Sequence, residues 1–293
     1  MKILLTGASG FIGHHIKQAL RTISAYELIT PSHQEVNFNT CVTSEDWLPL
    51  LEDIEVVINS VGIITETRHQ RFSRLHSQAP IDLFQACEQS NVKHVIQISA
   101  LGADKNAFTP YQKSKLAADN ALRQSTLSWS ILRPSLVYGE SGKSLAMFKR
   151  LASLPLIPLP DAGKQYIQPV HVSDLVATVM RCLHQTSDGR DSPTHHQTID
   201  VVGLNAMTLA DYLQAIRVSA GKTPAKIIPI PYSLAMRAAR IVRYVFPAFS
   251  MMHPDNLRML QQGNTADVAP LTTFLGRPPL SLEEGLKRLE TNR

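Results

Sequence analysis

A short apolar run, Lys2-Ile3-Leu4-Leu5-Thr6, leads directly into Gly7-Ala8-Ser9-Gly10-Phe11-Ile12-Gly13, after which apolar side chains recur at Phe11, Ile12, Ile16, Ala19, Leu20 and Ile23. That spacing is helical, so the opening predicts a strand, a tight turn and a helix. Val56 to Gly62 reads as a buried parallel strand ending in small residues, and His94 to Ser99 as another, with a helical stretch between them. Helices and strands alternate to about residue 139, the pattern of an α/β fold built on a doubly wound, Rossmann-type parallel sheet.

Beyond that point the punctuation changes. The segment from Leu154 to Gly163 carries three prolines and reads as a break in regular structure, a crossing between two lobes. The expected division is therefore 1–160 for a nucleotide-binding domain and 161–293 for a smaller α/β substrate lobe. In the second part Tyr166 to Pro169 predicts a short strand, and Ser173 caps a helix reaching about Leu183. Gln197 to Val202 predicts a strand that returns to the nucleotide lobe, and residues 185–196 read as a polar loop. Thr208 is an N-cap candidate for a helix through Ser219, and Lys226 to Ile230 is again strand-like.

The three glycines, each three residues apart, point to chemistry. In a strand–turn–helix unit the first permits the turn, the second lets the backbone approach a pyrophosphate, and the third lets helix and strand pack closely. Free N–H groups at the helix start then receive the phosphates. A dinucleotide over Gly7, Ser9, Gly10, Phe11, Ile12 and Gly13 is the expected guest. Downstream, Tyr111 and Lys115 stand four apart and share one helix face, with Ser99 at the end of the preceding strand. Hydride exchange at a carbon bearing oxygen requires a proton to move on that oxygen. A phenol does this near neutral pH when its pKa is lowered, and a lysine ammonium one turn away lowers it. Tyr111 is the candidate acid/base, Lys115 its partner and Ser99 the candidate for polarising a carbonyl.

The combination of Thr6-Gly7-x-x-Gly10-x-x-Gly13, Ser99, Tyr111-x-x-x-Lys115, Ile131 to Gly139 and Val170 to Leu175 resembles the extended or atypical short-chain dehydrogenase/reductases, the NAD-dependent epimerase/dehydratase-like group. The ending, with Leu257 to Leu260, Asn264, Leu275-Gly276 and Leu280 to Leu286, is most similar to the branch that contains the nucleotide-binding accessory subunit of respiratory complex I and its bacterial relatives. The resemblance implies that Asn37 and Phe38 lie near the adenine and that Ser60, Val61 and Gly62 pass beneath its ribose. It also places Pro134 and Val137 along the cleft and gives Lys115 a second task, holding the nicotinamide ribose. Relatives commonly carry two small hydroxyl residues at the strand end. Here Ser99 is followed by Ala100.

Cofactor choice is read at the end of the second strand, where an acid bonds a ribose 2′-OH and a basic group receives a 2′-phosphate. Residues 28–34 contain no acid, Glu35 follows late, and Ser32 and His33 can donate to a phosphate. The sequence therefore favours NADP, with NAD as the alternative. Two functions remain open: an oxidoreductase acting on an unidentified small carbonyl or alcohol substrate, and a catalytically silent NADP-binding structural, assembly or redox-sensor protein with a protein partner.

Composition narrows the field around these readings. A chain of 293 residues, 44% hydrophobic and 18% charged, is an ordinary globular protein. Its net charge of +5 raises nucleic acid as a partner, but no basic run interleaves with aromatics, so nucleic acid is not expected. Cys41, Cys87 and Cys182 have no paired spacing and read as buried free thiols, and no histidine pattern indicates a metal. No signal peptide and no stretch of about 20 apolar residues is visible, so a cytoplasmic protein is expected. One segment, Tyr232 to Phe246, sets arginines at 237, 240 and 243 against an apolar face. It reads as a surface helix packed on the second lobe, or as a basic stripe for peripheral membrane contact or for guarding a cleft.

Overall fold

The computed structural model describes residues 1–32, 35–38, 43–187, 196–245 and 253–291. It divides into two compact units: Met1–Pro134 with Leu175–Asp200, and Ser135–Asp174 with Val201–Arg293.

The first unit opens with β1 (Lys2–Thr6), α1 (Phe11–Arg21) and β2 (Glu27–Ile29), followed by β3 (Val56–Asn59), α2 (Ala79–Glu88), β4 (His94–Ile98), α3 (Pro110–Gln124) and β5 (Ser128–Pro134). In β1, β3 and β4 almost every residue is buried, the signature of parallel strands covered on both faces. β1 pairs in parallel with β2 and β3, and β3, β4 and β5 continue the parallel ladder. Leu4, Trp47, Val57, Leu83, Phe84, Val95, Leu122 and Ile131 form its core. Helix α3 is capped locally: Thr109 accepts from the Gln112 N–H and Pro110 occupies the first turn, where its missing donor costs nothing.

The chain then forms β6 (Val137–Tyr138), α4 (Lys143–Ala152), β7 (Leu156–Pro160), β8 (Tyr166–Ile167), β9 (Val170–His171), α5 (Val172–Ser187) and β10 (Gln197–Val201). β10 completes a six-stranded sheet of order β10-β5-β4-β3-β1-β2, so the expected return of this segment to the nucleotide lobe is observed. The order reverses beside β1: β2 lies to one side and β3 to the other. In such sheets ligands bind outside the carboxyl ends of the strands at that reversal.

In the second unit follow β11 (Met207–Thr208), α6 (Leu209–Ser219), β12 (Lys226–Ile230), α7 (Tyr232–Val245), α8 (Pro254–Gln262), α9 (Ala269–Leu275) and α10 (Leu282–Thr291). Thr208 caps α6 as predicted, its hydroxyl accepting from the Asp211 N–H. The core here is Tyr138, Phe148, Ile157, Leu159, Tyr212, Leu213 and Leu286.

The proline-rich segment corrects one expectation. Leu156–Pro160 is not a break but β7, paired in parallel with β12 in a two-stranded sheet. Such a strand has a free edge, where a proline's missing N–H removes no ladder bond. Chain passages between the units fall after Pro134, Asp174 and Asp200 rather than at residue 160. The polar loop expected over 185–196 begins later, because α5 runs to Ser187, and most of it lies outside the described residues. No helix among the described residues is long and apolar enough to cross a membrane.

Candidate functional site

The three glycines of the first turn do different work. Gly7 has φ +75°, and a Cβ there would lie 2.9 Å from Ser60 Oγ and from the Val61 nitrogen. Only glycine takes that conformation without strain. At Gly13 a Cβ would run into the Gly7 carbonyl and stand 2.6 Å from Ser60 Oγ, so this glycine lets α1 close onto the β3 loop. Gly10 is different. It has φ −75°, its N–H bonds the Gly7 carbonyl at 2.9 Å, and the nearest atom to an added Cβ is 3.2 Å away. Gly10 caps α1 without a side-chain acceptor, which leaves the first-turn N–H groups directed at whatever binds there. Ser9 is exposed, and Phe11 and Ile12 are half-buried beside the turn.

A polar ladder ties the strand ends together beneath this turn. Thr6 Oγ1 donates to Asn59 Oδ1 at 2.7 Å, Asn59 Nδ2 donates to Gln97 Oε1 at 2.8 Å, and Ser60 Oγ donates to the Thr6 carbonyl at 2.7 Å. Thr6, Asn59 and Gln97 are essentially inaccessible. Buried polar groups bonded to one another favour a single arrangement, here the one that carries Ser60, Val61 and Gly62 past Gly7 and Gly13.

Lys115 reaches the same place from α3. Its Nζ donates to the Val61 carbonyl at 3.2 Å and to the Ile98 carbonyl at 3.0 Å, which sets a buried ammonium between the ends of β3 and β4. A Cβ on Gly62 would stand 3.3 Å from that Nζ and 3.6 Å from His76 Nε2. The bare glycine thus leaves a recess at these two side chains. Tyr111, one turn earlier, packs edge-on against Phe72 at 5.7 Å and His76 at 5.4 Å between ring centres.

His76 was not singled out by the sequence. It lies in a π-helical turn, Ser73–Gln78, just ahead of α2. Pro80 has no N–H for the His76 carbonyl, which favours the wider turn. Nε2 accepts from the Ile63 N–H at 2.9 Å, so Nδ1 carries the proton and donates to Ser114 Oγ at 3.1 Å, while Ser114 Oγ donates to the Tyr111 carbonyl at 2.7 Å. Burial, aided by the Lys115 charge, holds the His76 pKa well below the usual imidazole value. A buried neutral histidine stabilises the fold above its unfolded pKa, and that stability is lost as pH falls below it. Between pH 7.5 and 5.5 the native protein is expected to lose about 1.4 kcal/mol more unfolding free energy than its His76→Gln variant, measured by urea titration. Equal losses would show that His76 protonates freely in the fold.

Ser99 stands at the end of β4 as expected, but its hydroxyl donates at 2.5 Å to Asp119 Oδ2, and both residues are buried. Asp119 is four residues beyond Lys115 on α3, the same spacing that relates Lys115 to Tyr111, so this part of the signal was present in the sequence. Burial pushes the Asp119 carboxyl up and the Lys115 ammonium down, and each draws the other back toward its charged form. Tyr111 differs from expectation: burial, with the Asp119 charge adding to it, pushes its phenol up to about 12. Lys115 Nζ is bonded instead to the Val61 and Ile98 carbonyls.

The remaining predicted residues are spread along the chain. Phe38 is buried edge-on against Trp47 at 5.0 Å, and its carbonyl accepts from Arg74 Nε at 2.8 Å, while Asn37 is half-buried beside it. Ser32 and Glu35 close a turn on each other, with the Ser32 N–H donating to Glu35 Oε2 at 2.7 Å and the Glu35 N–H to Ser32 Oγ at 3.3 Å. His33 lies outside the described residues. Pro134 ends β5, and its carbonyl accepts from the Leu101 N–H. Val137 belongs to the second unit, where it pairs with Val170. Cys87 and Cys182 are buried free thiols as expected, and Cys41 lies outside the described residues.

Comparison with known proteins agrees with this fold. The chain is 27% identical over 256 residues to NADH dehydrogenase [ubiquinone] 1 alpha subcomplex subunit 9, mitochondrial, of Arabidopsis thaliana, covering 80% of this chain and 62% of that protein. It is 25% identical to ceramide reductase of Caulobacter vibrioides, over 61% of this chain and 59% of that protein. The chain thus spans about three fifths of the length of these curated relatives. Among solved structures, UDP-glucuronic acid 4-epimerase from Bacillus cereus, in complex with UDP-glucuronic acid and NAD, superposes with a TM-score of 0.71 at 20% identity, covering 99% of this chain and 98% of that one. The NADPH-dependent quinone oxidoreductase of Escherichia coli, complexed with NADPH, gives 0.75 at 17% identity, covering 98% and 99%. At such identities these two matches speak for the fold. The NAD dependent epimerase/dehydratase family matches residues 3–196, more than half of the sequence, and the chain belongs to that family.

Proposed function

We propose that the first unit binds a nicotinamide dinucleotide and that the protein is an oxidoreductase in which Tyr111 carries the proton at a carbonyl or alcohol oxygen. The observation that carries the reading is the position of Lys115. A buried ammonium is costly unless compensated, and here it stands where β3 and β4 end, beside the recess at Gly62 and one helical turn from Tyr111. The uncapped start of α1 and the bare Gly10 fit a pyrophosphate, and the recess at Gly62 fits a ribose.

When bound, such a nucleotide supplies or accepts a hydride. This chain's residues handle the proton and the geometry. Burial that pushes its phenol up to about 12 leaves Tyr111 neutral at pH 7, so it holds a proton to give to a carbonyl oxygen during reduction, although as a weaker acid than the lowered pKa expected from the sequence. Phe72 and His76 fix the ring, and Lys115 offers its remaining N–H to a ribose hydroxyl. Ser99 acts through Asp119, holding the carboxylate that keeps Lys115 charged. The experiment is to incubate the purified protein with NADH or NADPH and a panel of aldehydes, ketones and sugar nucleotides. Oxidation of the nucleotide by one panel member supports the reading, and none by any member points to the second one.

That second reading is a nucleotide-binding protein without turnover. It is favoured by the commitment of the Ser99 hydroxyl to Asp119 and by Ala100 at the next position, which leave no strand-end hydroxyl for a substrate.

The preference for NADP rests on the lack of an acid over residues 28–34. The Ser32 turn alters that basis, because it draws the Glu35 carboxylate back to the Ser32 N–H and these bonds hold its pKa below the usual carboxylate value. An ionised acid in this loop repels a 2′-phosphate. Glu35→Gln is therefore expected to raise NADPH affinity several-fold and leave NADH affinity nearly unchanged. Calorimetry showing equal gains for both would remove Glu35 from the discrimination.

A further inference from the structure

The positive charge of this chain is not evenly distributed. Residues 212–245 contain six lysines and arginines and no acid, more than the net charge of +5 carried by the whole protein. The same stretch holds three of the large apolar side chains that the fold leaves exposed: Val218, Leu234 and Ile241, the last 64% accessible.

Helix α7 concentrates both features on one face. Its inner side is set by Ala235 and Ala239, which are buried with Leu257 of α8. On a helix of 3.6 residues per turn, Leu234, Arg237 and Ile241 fall within about 60° of one another, roughly opposite those alanines, and Arg240 lies at the margin of that face. All four are exposed. A solvent-facing helix surface ordinarily carries mixed charges, whereas here it carries two aliphatic side chains alongside two arginines and no acid. Nearby, β7 packs against α7 and presents Leu156, 53% accessible, directly beside Lys226 of β12.

We infer that this face of the second unit is a docking surface for an anionic lipid bilayer. Exposed aliphatic side chains flanked by guanidinium groups match the two layers of such a surface: hydrocarbon just beneath, phosphates above. Long arginine stems let the charged heads stay among the phosphates while Leu234 and Ile241 enter the acyl boundary. An acidic protein partner matches the arginines but gives no role to two exposed aliphatic side chains beside them.

The test is co-sedimentation of the full chain with vesicles of phosphatidylcholine alone or with a one-third share of phosphatidylglycerol. The protein is expected to bind the anionic vesicles at low salt, to leave them as salt rises, and to ignore neutral ones. Arg237→Gln with Arg240→Gln is expected to weaken binding roughly 25-fold, a factor of about five for each charge near the surface. Leu234→Ser with Ile241→Ser is expected to remove most of the remainder, and thermal melting of both variants is expected to match the native protein, since all four side chains are exposed. Failure to bind anionic vesicles, or equal binding to both kinds, would overturn the inference. Capture of poly-glutamate that depends on the arginines but is indifferent to the Leu234 and Ile241 changes, with no vesicle binding, would overturn it in favour of an acidic protein.

Discussion

Tyr111→Phe is expected to lower turnover by roughly 10²- to 10⁴-fold, the range associated with removing a positioned proton carrier, while nucleotide affinity stays within about twofold. The ring keeps its edge contacts with Phe72 and His76, so the variant loses an oxygen and nothing else. Lys115→Met is the contrasting change. It removes the ammonium that bonds the Val61 and Ile98 carbonyls and takes away one of the positive charges that offset the buried Asp119, so affinity, turnover and stability fall together. Separate measurement of nucleotide affinity and single-turnover rate distinguishes the two. If Tyr111→Phe turns over at the native rate, Tyr111 is not the proton carrier.

Gly13→Val is expected to cost about 3 kcal/mol of stability, the upper part of the range for overpacking a filled site, which for a chain of this size lowers Tm by roughly 6–12 °C. An added Cβ collides with the Gly7 carbonyl and lies 2.6 Å from Ser60 Oγ, and neither can retreat. Gly7 is held at φ +75°, and Ser60 is bonded to the Thr6 carbonyl. The effect is on the fold itself, so it appears in calorimetric melting with no nucleotide present. A Tm within about 2 °C of the native value would mean that α1 does not seat as closely on the β3 loop as the structure describes.

Much of this was legible in the residues because local signals agreed. The Gly7–Gly13 turn, the buried runs of β3 and β4 and the Thr208 cap of α6 each rest on local signals that point the same way. The Pro155–Pro160 stretch misled because proline says only that a donor is absent, and an edge strand such as β7 has donors to spare. His76 was hidden for a different reason. Its importance comes from a π-helical turn that no hydrophobic period announces, and from partners at positions 63 and 114 that are remote in sequence. Asp119 could have been read from its spacing to Lys115, but the burial that makes it consequential is a property of the assembled sheet and helix. The same holds for Tyr111: one turn of helix places Lys115 near it, and only the surroundings decide that burial outweighs that charge.

If the turn after β1 holds the pyrophosphate of a nicotinamide dinucleotide as proposed, Gly10 is the position where an added side chain would meet the phosphates first. Its backbone lies at φ −75° and ψ 167°, a conformation open to any residue, and its nearest contact to a new Cβ is a single carbonyl at 3.2 Å. A valine there intrudes on the ligand far more than on the fold. Isothermal titration of NADH and NADPH into the native protein and Gly10→Val, with melting curves for both, separates the two effects. The expected result is clear binding to the native protein and nearly complete loss in a variant that melts within a few degrees of it. Unchanged affinity for both nucleotides in a well-folded Gly10→Val protein would show that the pyrophosphate does not lie over this turn.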